Sequence, residues 1–163
     1  KKTDGLFAST CSKVADNFSD IKFEEMYVDA CAMNLIRQPQ EFDVIVTTNL
    51  FGDILSDESA QVVGGLGMAP AANIGDKFGL FEPVHGAAFD IAGKNTANPT
   101  SFILSIKMML DWIGNKHADA KCIEVAQKLE NVVYDVVKNN IKTKDTGGDK
   151  TTIEFTKEII SRL

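Results

Sequence analysis

The run "FDVIVTTNL", followed at once by "FGDILSDESAQVVGGLG", constrains the fold more than any other part of the chain. Val44, Ile45 and Val46 form a continuous β-branched run of the kind that fills a strand buried on both faces. Ile54, Leu55, Val62 and Val63 then recur at helical spacing, until Gly64, Gly65 and Gly67 end the pattern. A buried strand that passes directly into a helix is a building unit of α/β folds. Neighbouring segments repeat the alternation. "GLFASTCSKVADNF" reads as a helix, "EEMYVDA" as a short strand, and "ACAMNLIRQP" as a helix stopped by Pro39.

After Asn98 the pattern changes to three successive helices. "TSFILSIKMMLDWIG" places Pro99 at a first helical position, "KCIEVAQKLENVVYDVVKNN" repeats its apolar residues at helical intervals, and "TTIEFTKEIISRL" opens with Thr151 and Glu154 in capping-box spacing. Between Gly64 and Asn98 the chain is rich in Gly, Pro, Ala and Asn, with one short strand expected at "GLFEP". So long a loop-dominated stretch is usually functional. The shift near Gly64 marks an expected border between residues 1–63 and residues 64–163.

Bulk properties remove several function classes. A net charge of −6 without a basic cluster leaves no nucleic-acid footprint and makes an anionic membrane a poor partner. Cys11, Cys31 and Cys122 are odd in number and far apart, which speaks against a disulfide framework or a zinc site and for a reducing, cytoplasmic setting. No apolar run approaches the roughly 18 residues that span a bilayer.

Asp53 and Asp57 fall one turn apart on one face of a helix expected over residues 51–63. Spacing alone admits two readings. One is negative charge near a helix N-terminus, favoured by the dipole. The other is a hard-cation site, in which carboxylate oxygens hold Mg²⁺ or Mn²⁺. Asp29, at a second strand-to-helix junction, is a further candidate. "FEPVHGAAFDIAGKNTANP" offers His85, Gly86, Ala87, Ala88, Asp90 and Asn98 with few bulky neighbours. Its small residues let backbone N–H groups approach an anion such as a pyrophosphate, an Asp could accept from a ribose diol, and Asn98 could read an adenine edge. A surface loop that satisfies its own backbone is the alternative. No G-x-G-x-x-G opens a βαβ unit, so the Rossmann fingerprint is missing. His117 reads as a solvated helix-end residue.

"NLFGDILSDESAQVVGGLGMAPAANIG" and "FEPVHGAAFDIAGKNTANPT" closely resemble the β-decarboxylating dehydrogenases, the isopropylmalate, isocitrate and homoisocitrate enzymes. The resemblance runs from "TDGLF" to "TGGDKTT", essentially the whole chain. It implies an α/β, isopropylmalate dehydrogenase-like fold that is not Rossmann, seen here in its C-terminal portion as a mixed sheet flanked by helices. Residues 1–63 would form part of the smaller, dimer-forming domain, with the helices at 30–38 and 53–63 in an intersubunit bundle. Residues 64–163 would form the returning half of the larger, cofactor-binding domain.

Residue by residue, Asp53 and Asp57 match the metal-binding carboxylates of that family. Asp29 in "YVDACAMNLI" matches the acidic residue that reaches the neighbouring subunit's metal. Glu82 matches a residue near the nicotinamide ribose and carboxamide, His85 the adenosine-binding histidine, and Gly86, Ala87 and Ala88 the loop facing the phosphates. Asn98 matches the adenine reader. Asp90 and Ile91 stand where NADP-using relatives carry Lys-Tyr, so a like-charge clash with a 2′-phosphate points to NAD.

The implied reaction moves a hydride from a small-molecule 2-hydroxy acid to NAD, then releases CO₂ while Mg²⁺ or Mn²⁺ steadies the enolate. No catalytic residue is expected within this chain: the family's catalytic Lys and Tyr would lie upstream of Lys1, as in a fragment without turnover of its own. A homodimer or higher homo-oligomer is implied, with neither nucleic acid nor membrane as partner. "EPVHGAAFDIAGK" with the short "LGMAPAANIGD" resembles isopropylmalate enzymes, which act in leucine biosynthesis. Isocitrate or homoisocitrate, and a non-catalytic partner subunit of the same family, are the alternatives. Such subunits tend to lose their metal carboxylates, and this chain has all three.

Overall fold

The computed structural model describes residues 2–163. Six helices and one hairpin follow in the order α1 (Lys2–Ala15), α2 (Val28–Arg37), α3 (Asn49–Val62), β1 (Pro70–Ile74), β2 (Gly79–Pro83), α4 (Thr100–His117), α5 (Ala120–Lys138) and α6 (Thr152–Arg162). The chain divides inside α3 into two compact units, one reaching to Gly52 and the other Asp53–Leu163.

In the first unit α1 buries nothing and α2 buries Cys31 and Leu35. The strand expected at "FDVIVTTNL" does not form. Residues 44–48 have no regular secondary structure and no strand partner among the described residues, with Val44 81% and Val46 70% exposed. The strand expected at "EEMYVDA" is likewise absent, because residues 22–27 are irregular and Val28 already opens α2. The physical reason is that β propensity measures fit to a neighbouring strand and a covered face. No described residue supplies either to these segments.

The second unit has a core of its own. Leu129, Val132, Val133 and Val136 of α5 pack on Phe155 and Ile159 of α6, with Ile103, Leu104 and Ile106 of α4 against them. The apolar periodicity read from the sequence is what this seam uses. Asp119 caps α5 by accepting from the N–H groups of Lys121 (2.9 Å) and Cys122 (3.2 Å). Thr151 and Glu154 form the expected capping box on α6. Gly114 lets α4 and α5 approach closely: a Cβ there would lie 2.6 Å from Ile123 Cγ1. Lys107 of α4 adds ion pairs to Asp111 (2.9 Å) and, across to α5, Glu130 (3.1 Å).

Among the described residues the only sheet is the antiparallel β1–β2 hairpin, with Pro70 opposite Pro83 and Ala71 opposite Glu82. No mixed sheet forms within them. β2 is the strand expected at "GLFEP", whereas β1, "PAANI", has only one β-branched residue and owes its conformation to pairing. A polar stripe on α4 holds the hairpin. The buried Ser101 hydroxyl donates to the Ala69 carbonyl, and the buried Ser105 hydroxyl lies 2.8 Å from the Glu82 carbonyl. Pro99 sits one position earlier than expected, as the residue preceding α4. Among the described residues no helix is long and apolar enough to cross a membrane.

Candidate functional site

Asp53 and Asp57 stand on α3, exposed and one turn apart. The helix starts at Asn49, two residues before the expected 51, and its first turn holds no acidic residue. Attraction to the helix N-terminus fades within that first turn, so the dipole reading loses its footing. Among the described residues neither carboxylate accepts a hydrogen bond or an ion pair, and the Ser56 hydroxyl 3.1 Å away reaches only the Asp53 backbone carbonyl. A like-charge pair without partners costs its helix a few tenths of a kcal/mol. The donor chemistry suits a hard divalent ion that keeps part of its water shell.

Two carboxylates are an incomplete set. No group of three His, Cys, Asp or Glu side chains able to hold a metal occurs among the described residues. Asp29 lies in the first turn of α2, exposed, where one carboxylate oxygen accepts from the Ala30 N–H at 2.8 Å. Its second oxygen keeps its lone pairs.

The other candidate residues follow the hairpin. Glu82 is on β2 with an exposed side chain that accepts from Asn73 Nδ2 (3.3 Å), a diagonal pair on one face. Just past β2, half-buried His85 places Nδ1 3.0 Å from the Gly86 carbonyl. A carbonyl only accepts, so Nδ1 is the donor in this contact. Gly86, Ala87 and Ala88 are exposed, and among the described residues nothing accepts from their N–H groups. The fold does not itself need glycine at 86, since a Cβ there would meet no atom within 4 Å. Backbone donors without an acceptor on small, exposed residues suit an anion.

Asp90 lies in a single 3₁₀ turn, Phe89–Ile91, and is exposed, without an ion-pair partner among the described residues. Its repulsion of a further phosphate is therefore screened by water until a bound nucleotide covers it. Ile91 is half-buried, with its N–H on the Ala88 carbonyl at 3.2 Å.

Asn98 contrasts with all of these because both ends of its amide are engaged. Oδ1 accepts from the Thr100 N–H at 3.0 Å, and Nδ2 donates to Asp145 Oδ2 at 3.0 Å and points at Met68 Sδ at 3.5 Å. Asp145 Oδ1 accepts from the fully buried Thr143 hydroxyl at 2.5 Å. Just upstream of Asn98, Asn95 and Ala97 accept from the start of α6: Thr152 N–H to Asn95 O and Ile153 N–H to Asn95 Oδ1 (both 3.0 Å), and the Thr152 hydroxyl to Ala97 O. Within the second unit Glu82 thus lies on the hairpin, His85 just past it and Asn98 just before α4, where Asp145 reaches its amide. Asp145 and Thr143 escaped the sequence reading. Their one signal was an Asp two residues before the Gly pair in "TKDTGGDKTT".

The sequence profile of the isocitrate/isopropylmalate dehydrogenase family matches residues 1–161. The chain belongs to that family.

It is 54% identical over 162 residues to a 3-isopropylmalate dehydrogenase of Sulfurisphaera tokodaii, covering 99% of this chain and 48% of that enzyme. An isocitrate/homoisocitrate dehydrogenase of Thermus thermophilus is 51% identical over 161 residues, covering 99% of this chain and 46% of that enzyme. Among solved structures, isocitrate dehydrogenase from Methylococcus capsulatus superposes with a TM-score of 0.89 at 43% identity, over 97% of this chain and 45% of that one. The chain thus spans about half the length of the curated relatives it matches. This family membership agrees with the α/β class of the fold and with the resemblance seen in the two long motifs.

Proposed function

We propose that this chain is the metal- and nucleotide-binding part of an NAD-dependent, β-decarboxylating dehydrogenase acting on isopropylmalate. The observation that supports it best is the pair Asp53–Asp57, exposed and unpartnered on α3. Those two residues, with Asp29 of a second copy, would hold Mg²⁺ or Mn²⁺. A bound divalent ion there supplies Lewis-acid stabilisation of the oxygen on which charge develops during loss of CO₂. NAD supplies the hydride acceptor.

This chain's own part is to bind and orient. Glu82 would face the nicotinamide ribose and carboxamide, His85 the adenosine, and the free N–H groups of Gly86, Ala87 and Ala88 the pyrophosphate. Asp90 and Ile91 would disfavour a 2′-phosphate, and Asn98 would read the adenine. The groups that move protons, a Lys and a Tyr, are proposed to lie outside these residues. Residues 1–63 would join the dimer-forming domain, a role supported by apolar side chains left bare on α2 and α3, such as Ile36 (67% exposed) and Leu50 (65%). Residues 64–163 would belong to the cofactor domain, and the protein would work in the cytoplasm as a homodimer or higher oligomer.

A second substrate reading, isocitrate or homoisocitrate, is favoured by the names of similarly close relatives. Steady-state reduction of NAD by the full-length protein with Mg²⁺ decides between them. The expected result is the highest kcat/KM for isopropylmalate and weaker use of NADP. A higher kcat/KM for isocitrate or homoisocitrate would replace the substrate, and turnover of none of the three would remove the reading altogether.

A further inference from the structure

We infer that Asp145 sets the purine specificity of the nucleotide site, by fixing the Asn98 amide in the one orientation that pairs with adenine. The inference rests on the reading of residues 85–98 as a nucleotide site and goes beyond it to a residue outside that segment. A primary amide has two faces of opposite sense, an acceptor and a donor, and turning it over exchanges them. Which face points where is decided by the partners. The Asp145 carboxylate can only accept, and it lies 3.0 Å from Nδ2. The Thr100 N–H can only donate, and it lies 3.0 Å from Oδ1. A turned amide would set its carbonyl oxygen against a carboxylate and its NH₂ against an N–H.

Asp145 is held for this task. Its other oxygen takes the hydroxyl proton of Thr143, which is 0% exposed, so the carboxylate has a fixed bearing. Gly67 leaves the space in which the pair meets, because a Cβ there would lie 3.0 Å from both Asn98 Cβ and Asp145 Oδ2. The charged bond to Asp145 is the stronger of the two restraints.

Once both restraints are made, Asn98 keeps one N–H, which now rests only on the weak Met68 thioether acceptor, and one carbonyl lone pair. Adenine presents an acceptor at N1 and a donor at its 6-amino group, which is the complementary pattern. A 6-oxopurine such as hypoxanthine presents a donor at N1 and an acceptor at position 6, the reverse. Pairing with hypoxanthine needs a turned amide, and Asp145 opposes the turn.

The test titrates the full-length protein calorimetrically with NAD and with nicotinamide hypoxanthine dinucleotide, which differ only at this edge. The unaltered protein is expected to favour NAD by about tenfold or more, the scale of one mispaired bidentate contact. Asp145→Asn can offer an NH₂ to a turned Asn98, so the ratio should fall severalfold, with the hypoxanthine dinucleotide gaining relative to NAD. Thr143→Val, which frees the carboxylate without removing it, should give a smaller fall in the same direction. It also keeps the test open if the first variant does not fold. If Asp145 merely staples two loops together, both affinities drop by one factor and the ratio stays, which overturns the inference. A lack of discrimination in the unaltered protein does the same. Failure of the unaltered protein to bind either dinucleotide overturns the nucleotide-site reading itself, and the inference with it.

Discussion

The two halves of the proposed site are built on opposite terms. Asp53 and Asp57 stand on regular helix, exposed and without a partner among the described residues, and the local fold gains nothing from them. Asn98 sits in irregular chain with both ends of its amide held, by residues from position 68 to position 145. The comparison separates side chains that the local fold does not use from an amide whose orientation the surrounding fold sets. Removing the first kind should damage activity and spare stability. Removing supports of the second kind should damage both.

The largest expected effect therefore falls on the carboxylates. Asp53→Asn and Asp57→Asn should each lower Mg²⁺-dependent turnover on the order of a hundredfold or more, the scale of lost metal ligation. Without metal, the same variants should unfold no earlier than the parent, and a few tenths of a kcal/mol later, because the like-charge pair at i,i+4 is relieved. Urea denaturation in chelator reads this. A marked loss of stability would show that the pair has a structural partner after all.

Gly67→Ala comes next. Its Cβ would press on Asn98 Cβ and Asp145 Oδ2, both at 3.0 Å. Overpacking of this kind costs about 1–3 kcal/mol. It should raise the KM for NAD more than it lowers kcat, in contrast to the α3 variants. A KM left at the parent value would break the link between that pair and the nucleotide.

Thr151→Ala is smaller. It removes the cap from α6, whose first residues hold Asn95 and Ala97 in place, and caps of this type contribute about 1 kcal/mol. Thermal unfolding of the variant measures it. The smallest effect is pH dependence at the same cap. The Thr151 backbone N–H, and after it the Thr151 hydroxyl, hold the Glu154 carboxyl below its ordinary value of 4.5. A depressed carboxylate contributes stability that is present above its unfolded value and lost as pH falls through the folded one. The parent should thus lose slightly more stability than Glu154→Gln as pH is lowered below about 4.5. Parallel stability profiles for the two proteins would contradict it.

The same contrast explains how much was legible in the sequence. The seam of α5 and α6 could be read because Val132, Val136, Phe155 and Ile159 repeat with the helix and find their partners within the described residues. The capping box could be read because both of its members lie within one turn. The placement of the acidic pair one turn apart on a helix could be read because that spacing is local. Val44 to Val46 could not be placed, since their strand needs a neighbour that no described residue supplies. β1 was invisible because "PAANI" becomes a strand only opposite β2. Asp145 was invisible because its role lies in a contact 47 residues away. Local periodicity reports helices and caps well, and it is silent on what the chain meets from afar.

The central claim is that Asp53 and Asp57 of one copy and Asp29 of another converge on one divalent ion. Its most direct test is a crystal structure of the full-length protein grown with Mn²⁺ and isopropylmalate, read by the anomalous signal of manganese. The account expects one strong peak at about 2.0–2.3 Å from oxygens of all three carboxylates, with substrate and water completing the shell. A peak elsewhere, or one that Asp29 of the second copy does not reach, would contradict it.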